Sequence, residues 1–178
     1  MTTVAVLIPY FQKKPGILRR ALNSVFAQQI PPGVSIDIIL VDDGSPHPAR
    51  SEISGLNISS PFSFKLIEQS NGGVACARNT GLQNLPVGIQ YIAFLDSDDI
   101  WDPDHLQHAI SYLDKGFDYY FCNNRKRDHH DSYFVQANFD GFLAKYGKQL
   151  NTDEFYEIDN KAKAIKILRV RYRREAYR

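Results

Sequence analysis

The sequence predicts an α/β fold, a doubly wound and mostly parallel sheet flanked by helices. Two observations carry this. Short, continuous apolar runs (VAVLI at 4–8, IDIILV at 36–41, YIAFL at 91–95) have the pattern of strands buried on both faces, and stretches of helical periodicity alternate with them. Polar clusters follow the same three runs, at Pro9-Tyr10-Phe11, Asp42-Asp43-Gly44 and Asp96-Ser97-Asp98-Asp99. In an open parallel sheet, ligands bind outside the carboxyl ends of the strands.

The elements follow in order. Val4–Ile8 is the first strand. Pro15 suits a first helical position, and Ile17, Leu18, Ala21, Leu22, Val25 and Phe26 form one apolar stripe, which predicts a helix over 15–28 stopped by Pro31-Pro32-Gly33. Ile36–Val41 is the second strand. Ser45 before Pro46 predicts an N-cap and a short helix through Ile53. Phe64–Glu68 is the third strand, Asn71-Gly72-Gly73 a turn, and Val74–Leu85 a helix with Gly81 as a weak point. Tyr91–Leu95 is the fourth strand. Asp102-Pro103 predicts the cap of a helix reaching Leu113 and closing at Gly116, and Asp118–Cys122 is a candidate fifth strand. Strands alternating with helices imply parallel pairing through right-handed crossovers.

The chain of 178 residues suits one sizeable core, and its 43% hydrophobic and 23% charged residues are ordinary for a globular protein. The net charge of +1 is unevenly spread: Lys161–Arg178 has eight basic residues and one acid, so it carries +7 and leaves −6 on the rest. That segment has few aromatics, which argues against nucleic-acid binding and leaves peripheral contact with an anionic membrane as an expectation. No run of 18 apolar residues and no N-terminal signal pattern occurs, and the only cysteines are Cys76 and Cys122. The expectation is a cytoplasmic protein with two buried free thiols.

Residues 91–105 place five aspartates within nine positions: Asp96, Asp98, Asp99, Asp102 and Asp104. Two carboxylates about 5 Å apart repel by roughly 3 kcal/mol at an effective dielectric near 20, so solvent, a helix N-terminus or a cation must offset the charge. Asp102, before Pro103, reads as a cap, and Asp104 as a first-turn residue favoured by the helix dipole. Asp96, Asp98 and Asp99 remain at the sheet's mouth. The i, i+2 spacing of Asp96 and Asp98 suits a shared hard cation such as Mg²⁺ or Mn²⁺. Asp128-His129-His130-Asp131 lacks metal-ligand spacing and reads as a solvated loop.

VAVLIPYFQ, RRALNSVFAQ, IILVDDGSP, NGGVACARNTG and YIAFLDSDDIWDP stand in an order and spacing that resembles the family-2 inverting glycosyltransferases over residues 4 to about 122. The resemblance implies a GT-A-type domain over residues 1–122. It binds a nucleotide diphosphate sugar, uses Mn²⁺ or Mg²⁺, and inverts the anomeric carbon during transfer to a glycan or lipid-linked acceptor. Residues 123–178 would begin the acceptor side. Carried over by position, Pro9, Tyr10 and Phe11 border the base, and Asp43 accepts a hydrogen bond from it. Arg78 lies near the phosphates and Asp96 near the ribose. Ser97 lies within the donor-binding Asp-Ser-Asp, and Asp98 binds the metal. Phe11 stands where the family usually has Tyr, and Gln12 where it often has Asn. Phe11 can stack but cannot donate a hydrogen bond.

The resemblance leaves the general base unassigned. It is expected beyond Arg178, with Asp153-Glu154 the closest pair in type, so the chain alone is expected to bind nucleotide without transfer. The other function class is a non-catalytic nucleotide-sugar-binding module, separable by turnover of donor and acceptor. A dehalogenase-type phosphotransferase would place Asp-x-Asp after an early strand, and a nucleotidyltransferase would need a Gly-rich loop after strand one; neither pattern is present. A uridine base is expected from the resemblance only.

Overall fold

The computed structural model describes residues 2–117, 120 and 122, and the backbone of two short strands at 147–149 and 156–158. The chain divides into two compact units, built on Met1–Tyr120 and Phe121–Arg173. The first contains β1 (Thr2–Tyr10), α1 (Ile17–Phe26), β2 (Val34–Asp42), α2 (Ala49–Ile53), β3 (Phe62–Glu68), α3 (Val74–Gln83), β4 (Tyr91–Phe94) and α4 (His105–Leu113). The second contains β5 (Gly147–Gln149) and β6 (Tyr156–Ile158), paired antiparallel. The strand expected at Asp118–Cys122 lies largely outside the described residues.

The sheet of the first unit is parallel throughout, in the order β3-β2-β1-β4. Strand β1 is central, and its residues from Val4 to Tyr10 are all buried, which is why its apolar run is continuous rather than alternating. The chain steps outward from β1 to β2 and β3, then returns to β4 on the other side of β1. With right-handed crossovers, that reversal puts α3 on the opposite face from α1 and α2. The core divides accordingly. Val4, Val6, Ile8 and Tyr10 pack with Leu18, Leu22 and Val25 of α1 and Leu106 and Ile110 of α4. Ala5, Leu7, Ile39 and Val41 pack with Ala77 of α3 and Phe94. Each fully buried Leu, Ile or Val contributes about 2 kcal/mol.

Several boundaries differ from the sequence expectation. Helix α1 starts at Ile17, not Pro15; Gly16, at φ 83°, occupies the N-cap and its N–H donates to Glu52 Oε1 at 2.5 Å. Helix α2 starts at Ala49, not Pro46. Ser45 is not its cap, because its hydroxyl is engaged by the Gln12 backbone. Asp42 caps instead, accepting from Ser45 N at 2.8 Å and Ala49 N at 2.7 Å. Asp102 offers α4 only its backbone carbonyl, to His105 N at 3.1 Å; the side-chain acceptor at that start is Gln28 Oε1, 2.8 Å from Leu106 N. Gly81 is a close-approach position rather than a weak point, since a Cβ there would lie 3.2 Å from Leu7 Cδ2. Cys76 is exposed, not buried, because only Ala77 and Gly81 of α3 are buried against the sheet. Neither cysteine forms a disulfide.

Candidate functional site

The strand order reverses at β1, so the crevice expected of such a sheet lies at the carboxyl ends of β1 and β4. Pro9 helps to open it. The β1 carbonyl at Leu7 accepts from Leu95 N, and that at Tyr10 from Asp43 N. Residues Leu7 and Pro9 therefore face β4, and Tyr10 faces β2. Pro9 lacks an N–H where β4 has already ended, so no ladder bond is lost there.

The base-bordering segment divides. Phe11 is 44% exposed and free to stack, whereas Tyr10 is 1% exposed and continues the core face of Val4, Val6 and Ile8. The Tyr10 hydroxyl donates to the His47 carbonyl at 2.8 Å. Burial, followed by the negative charge of Glu52, pushes the hydroxyl up to about 12, so it stays protonated at neutral pH. Tyr10 shapes the loop after β2 from beneath rather than offering a ligand contact, and Pro9 is likewise buried.

Asp43 is 2% exposed, and its carboxylate is well occupied. Oδ1 accepts from Gln69 Nε2 at 2.7 Å and Gly72 N at 2.8 Å, and Oδ2 accepts from Gly73 N at 2.8 Å. Asn71 Nδ2 donates to the Asp43 carbonyl at 3.0 Å. Of the roughly four acceptor positions on a carboxylate, three are taken, leaving one. The resulting tie sets the Asn71-Gly72-Gly73 turn that leads directly into α3.

One turn of that helix on, Arg78 Nη2 lies 2.5 Å from Asp96 Oδ1, with the side chains 16% and 14% exposed. Asp96 opens a turn closed by Asp99 N donating to the Asp96 carbonyl at 3.0 Å. Ser97 is buried and Asp98 is exposed, so the Asp-Ser-Asp segment turns its middle hydroxyl inward and its last carboxylate to solvent. Gln12 Nε2 donates to Ser97 Oγ at 3.1 Å and so joins the loops after β1 and β4.

Among the described residues no three His, Cys, Asp or Glu side chains cluster as a metal cage. Asp98 nevertheless fits the expected cation. Mg²⁺ and related hard ions are typically held by one or two carboxylates plus substrate phosphates and water. The structure thus brings together Asp96 with Arg78, and Ser97 with the loop after β1; it buries Pro9 and Tyr10 and encloses Asp43. Gln69 and Glu52 had no role in the sequence expectation, and Asp42 and the paired glycines were read only as part of a polar cluster and a turn, not as the cap of α2 and the partners of Asp43. Only the Asp42–Ser45 spacing, typical of an Asx-turn, was a readable signal. Asp128–Asp131, Asp153-Glu154 and Lys161–Arg178 lie outside the described residues. No described helix is long and apolar enough to cross a membrane.

The family model described as "Glycosyl transferase family 2" matches residues 5–175. Succinoglycan biosynthesis protein ExoW of Rhizobium meliloti is 50% identical over 113 residues, covering 64% of this chain and 34% of that protein. Minor teichoic acid biosynthesis protein GgaA of Bacillus subtilis is 32% identical over 109 residues, covering 61% and 24%. The aligned part of the chain spans only 34% or less of the length of these relatives. Among solved structures, S. aureus TarS 1-349 in complex with UDP-GlcNAc matches with a TM-score of 0.53 at 23% identity over 65% of this chain and 32% of that one. The same protein in complex with UDP matches at 0.54 and 24%, with the same coverage. At this identity the likeness is one of fold.

Proposed function

The chain belongs to glycosyl transferase family 2 and has the GT-A-type fold, and from that premise we propose that it binds the donor of an inverting sugar transfer. The donor is a nucleotide diphosphate sugar, with UDP-sugar the first choice, and the acceptor is a glycan or a lipid-linked sugar. The observation that carries this reading is the exposed Asp98 carboxylate at the end of β4, in a turn whose first residue, Asp96, is held by Arg78. The names of TarS 1-349 structures with UDP and UDP-GlcNAc support the choice of donor.

The chemistry follows from charge. Cleaving a sugar–diphosphate bond builds negative charge on the departing nucleoside diphosphate, and positive groups placed where that charge develops lower the barrier. Asp98 would hold Mn²⁺ or Mg²⁺, and the cation would supply Lewis-acid stabilisation of the diphosphate. Arg78, oriented by Asp96, adds a permanent positive charge. Phe11 offers an exposed ring on which a base can stack. Inversion also requires a base for the acceptor hydroxyl, a role not assigned to any described residue. A cytoplasmic setting is part of the proposal, as is contact of residues 161–178 with an anionic leaflet. The contact would be attractive by about 1 kcal/mol per basic residue near the surface.

Calorimetric titration with UDP, GDP, ADP and CDP, each with and without Mn²⁺, tests the reading. UDP is expected to bind most tightly, with affinity raised by Mn²⁺. Asp98→Ala should abolish that rise and leave the fold intact, because the side chain is exposed. Unchanged Mn²⁺-dependent affinity in Asp98→Ala would remove the metal assignment. Turnover of UDP-sugar with an acceptor separates a transferase from a module that only binds.

A further inference from the structure

We infer that Gln12 is a positioning residue for the Asp96–Asp99 turn, holding Ser97, and through it Asp98, at the mouth of the site. The inference rests on the donor-binding reading above, in which Asp98 meets a cation and a diphosphate.

The backbone of Gln12 is fixed by the loop after β2. Its N–H donates to Ser45 Oγ at 2.7 Å, and its carbonyl accepts from Ser45 Oγ at 2.8 Å and from His47 N at 3.0 Å. His47 is itself tied to the core, since its carbonyl accepts from the buried Tyr10. From this anchored position the side-chain amide reaches Ser97 Oγ at 3.1 Å, across 85 positions of sequence. Ser97 is 4% exposed, so its hydroxyl sits where little water can replace the partner.

The turn is therefore held by different elements at adjacent residues: Asp96 by Arg78 of α3, and Ser97 by Gln12 after β1. Asp98 comes next and is exposed, so these two ties set where its carboxylate stands. A carboxylate that shares a cation with a substrate must be placed to within about half an ångström, and outer groups that orient a metal ligand commonly change metal affinity by about 10–100-fold. The anchoring also couples the loops. The loop after β2, which carries Asp43, and the turn that carries Asp98 share Gln12 as their common contact.

The test uses the full chain with Gln12→Met, which keeps length and bulk but removes the amide, with Ser97→Ala, and with both together. Hydrogen exchange is read at the Asp99 amide, which closes the turn, and at the Leu95 amide, which bonds to β1. Exchange at Asp99 is expected to rise about fivefold in each variant, as for the loss of one ordinary hydrogen bond, with Leu95 unchanged. In Gln12→Met the rise in UDP affinity produced by Mn²⁺ should shrink about tenfold, with affinity for UDP alone preserved. The double variant should be no worse than either single one. Wild-type exchange at Asp99 in Gln12→Met, or equal losses with and without Mn²⁺, overturns the inference. If the wild-type chain gains nothing from Mn²⁺, the donor-site reading fails, and exchange at Asp99 alone decides whether Gln12 positions the turn.

Discussion

Arg78 Nη2 and Asp96 Oδ1 lie 2.5 Å apart, joining the helix that follows the double-glycine turn to the turn that ends β4. The pair is largely removed from water, at 16% and 14% exposure, so it is screened less than a surface ion pair. It also fixes a guanidinium at Asp96, two residues before the exposed Asp98.

Arg78→Met should therefore act on stability and binding together. Leaving Asp96 without its guanidinium is expected to cost about 2 kcal/mol, below the figure for a fully buried pair because some solvent remains. UDP affinity should fall by about tenfold or more. The double variant Arg78→Met with Asp96→Asn separates the effects: unfolding stability should largely return, and affinity should not. Recovery of both would reduce Arg78 to a structural partner of Asp96.

The enclosure of Asp43 leads to a second expectation. Asp43→Ala removes the acceptor for two backbone N–H groups and the Gln69 amide, so unfolding stability should fall by about 3 kcal/mol. Because the carboxylate also orders the loop proposed to face the base, affinity for UDP should fall more than affinity for pyrophosphate. Equal losses for the two ligands would confine Asp43 to holding the turn.

The strands were legible because both faces of β1 and β2 are covered, which forces continuous apolar runs such as VAVLI and IIL; the observed strands only extend them. The acidic clusters were legible for a related reason, since the doubly buried part of such a strand excludes carboxylates and they gather at its end; Asp37 lies within β2 only where the side chain is half-buried. What escaped was long-range. Gln28 caps α4 from 78 positions away, Gln12 reaches Ser97 across 85, and Glu52 meets Gly16 across 36. No local spacing encodes such pairs. The burial of Tyr10 was not legible because PYF reads equally well as a ligand loop or as the last buried residues of the strand. Only its register, continuing Val4, Val6 and Ile8, decides the matter.

His105 supplies a pH dependence. It is buried, stacks on Trp101 at a centroid distance of 4.6 Å, and meets Tyr120 edge-on at 5.7 Å. Burial lowers it to about 4, a shift partly opposed by Asp104 and reinforced by His108. An unfolded His titrates near 6.5, so between about pH 6.5 and 4 the unfolded chain binds more protons than the folded one. Stability from this residue is thus complete above pH 6.5 and falls as pH drops toward 4, by up to about 3 kcal/mol. His105→Phe, which retains the stacking, should flatten the urea-unfolding profile across that window relative to wild type. Parallel profiles for the two proteins would mean that the imidazole stays accessible to protons.

The start of α4 gives the sharpest contrast between local pattern and long-range contact. Asp102-Pro103 looks like a capping pair, yet the Asp102 side chain is exposed and makes no capping bond. Gln28, 6% exposed, does that work from the end of α1. Its Nε2 donates to the Asp102 carbonyl at 2.7 Å and to the Ser24 carbonyl at 3.0 Å, and its Oε1 accepts from Leu106 N at 2.8 Å. Gln29 N adds a bond to the Pro103 carbonyl at 2.7 Å, so α1 and the chain entering α4 are closely tied. Removing the Gln28 amide leaves buried backbone groups unpaired, each costing about 1–3 kcal/mol. Gln28→Ala is therefore expected to lower unfolding stability by about 3 kcal/mol, and Asp102→Ala to change it by about 0.5 kcal/mol or less. Gln28→Glu should recover little, because it restores the acceptor for Leu106 but not the donor for Asp102. Chemical denaturation of the three variants measures the ranking directly. A larger loss in Asp102→Ala than in Gln28→Ala would return the capping role to the aspartate.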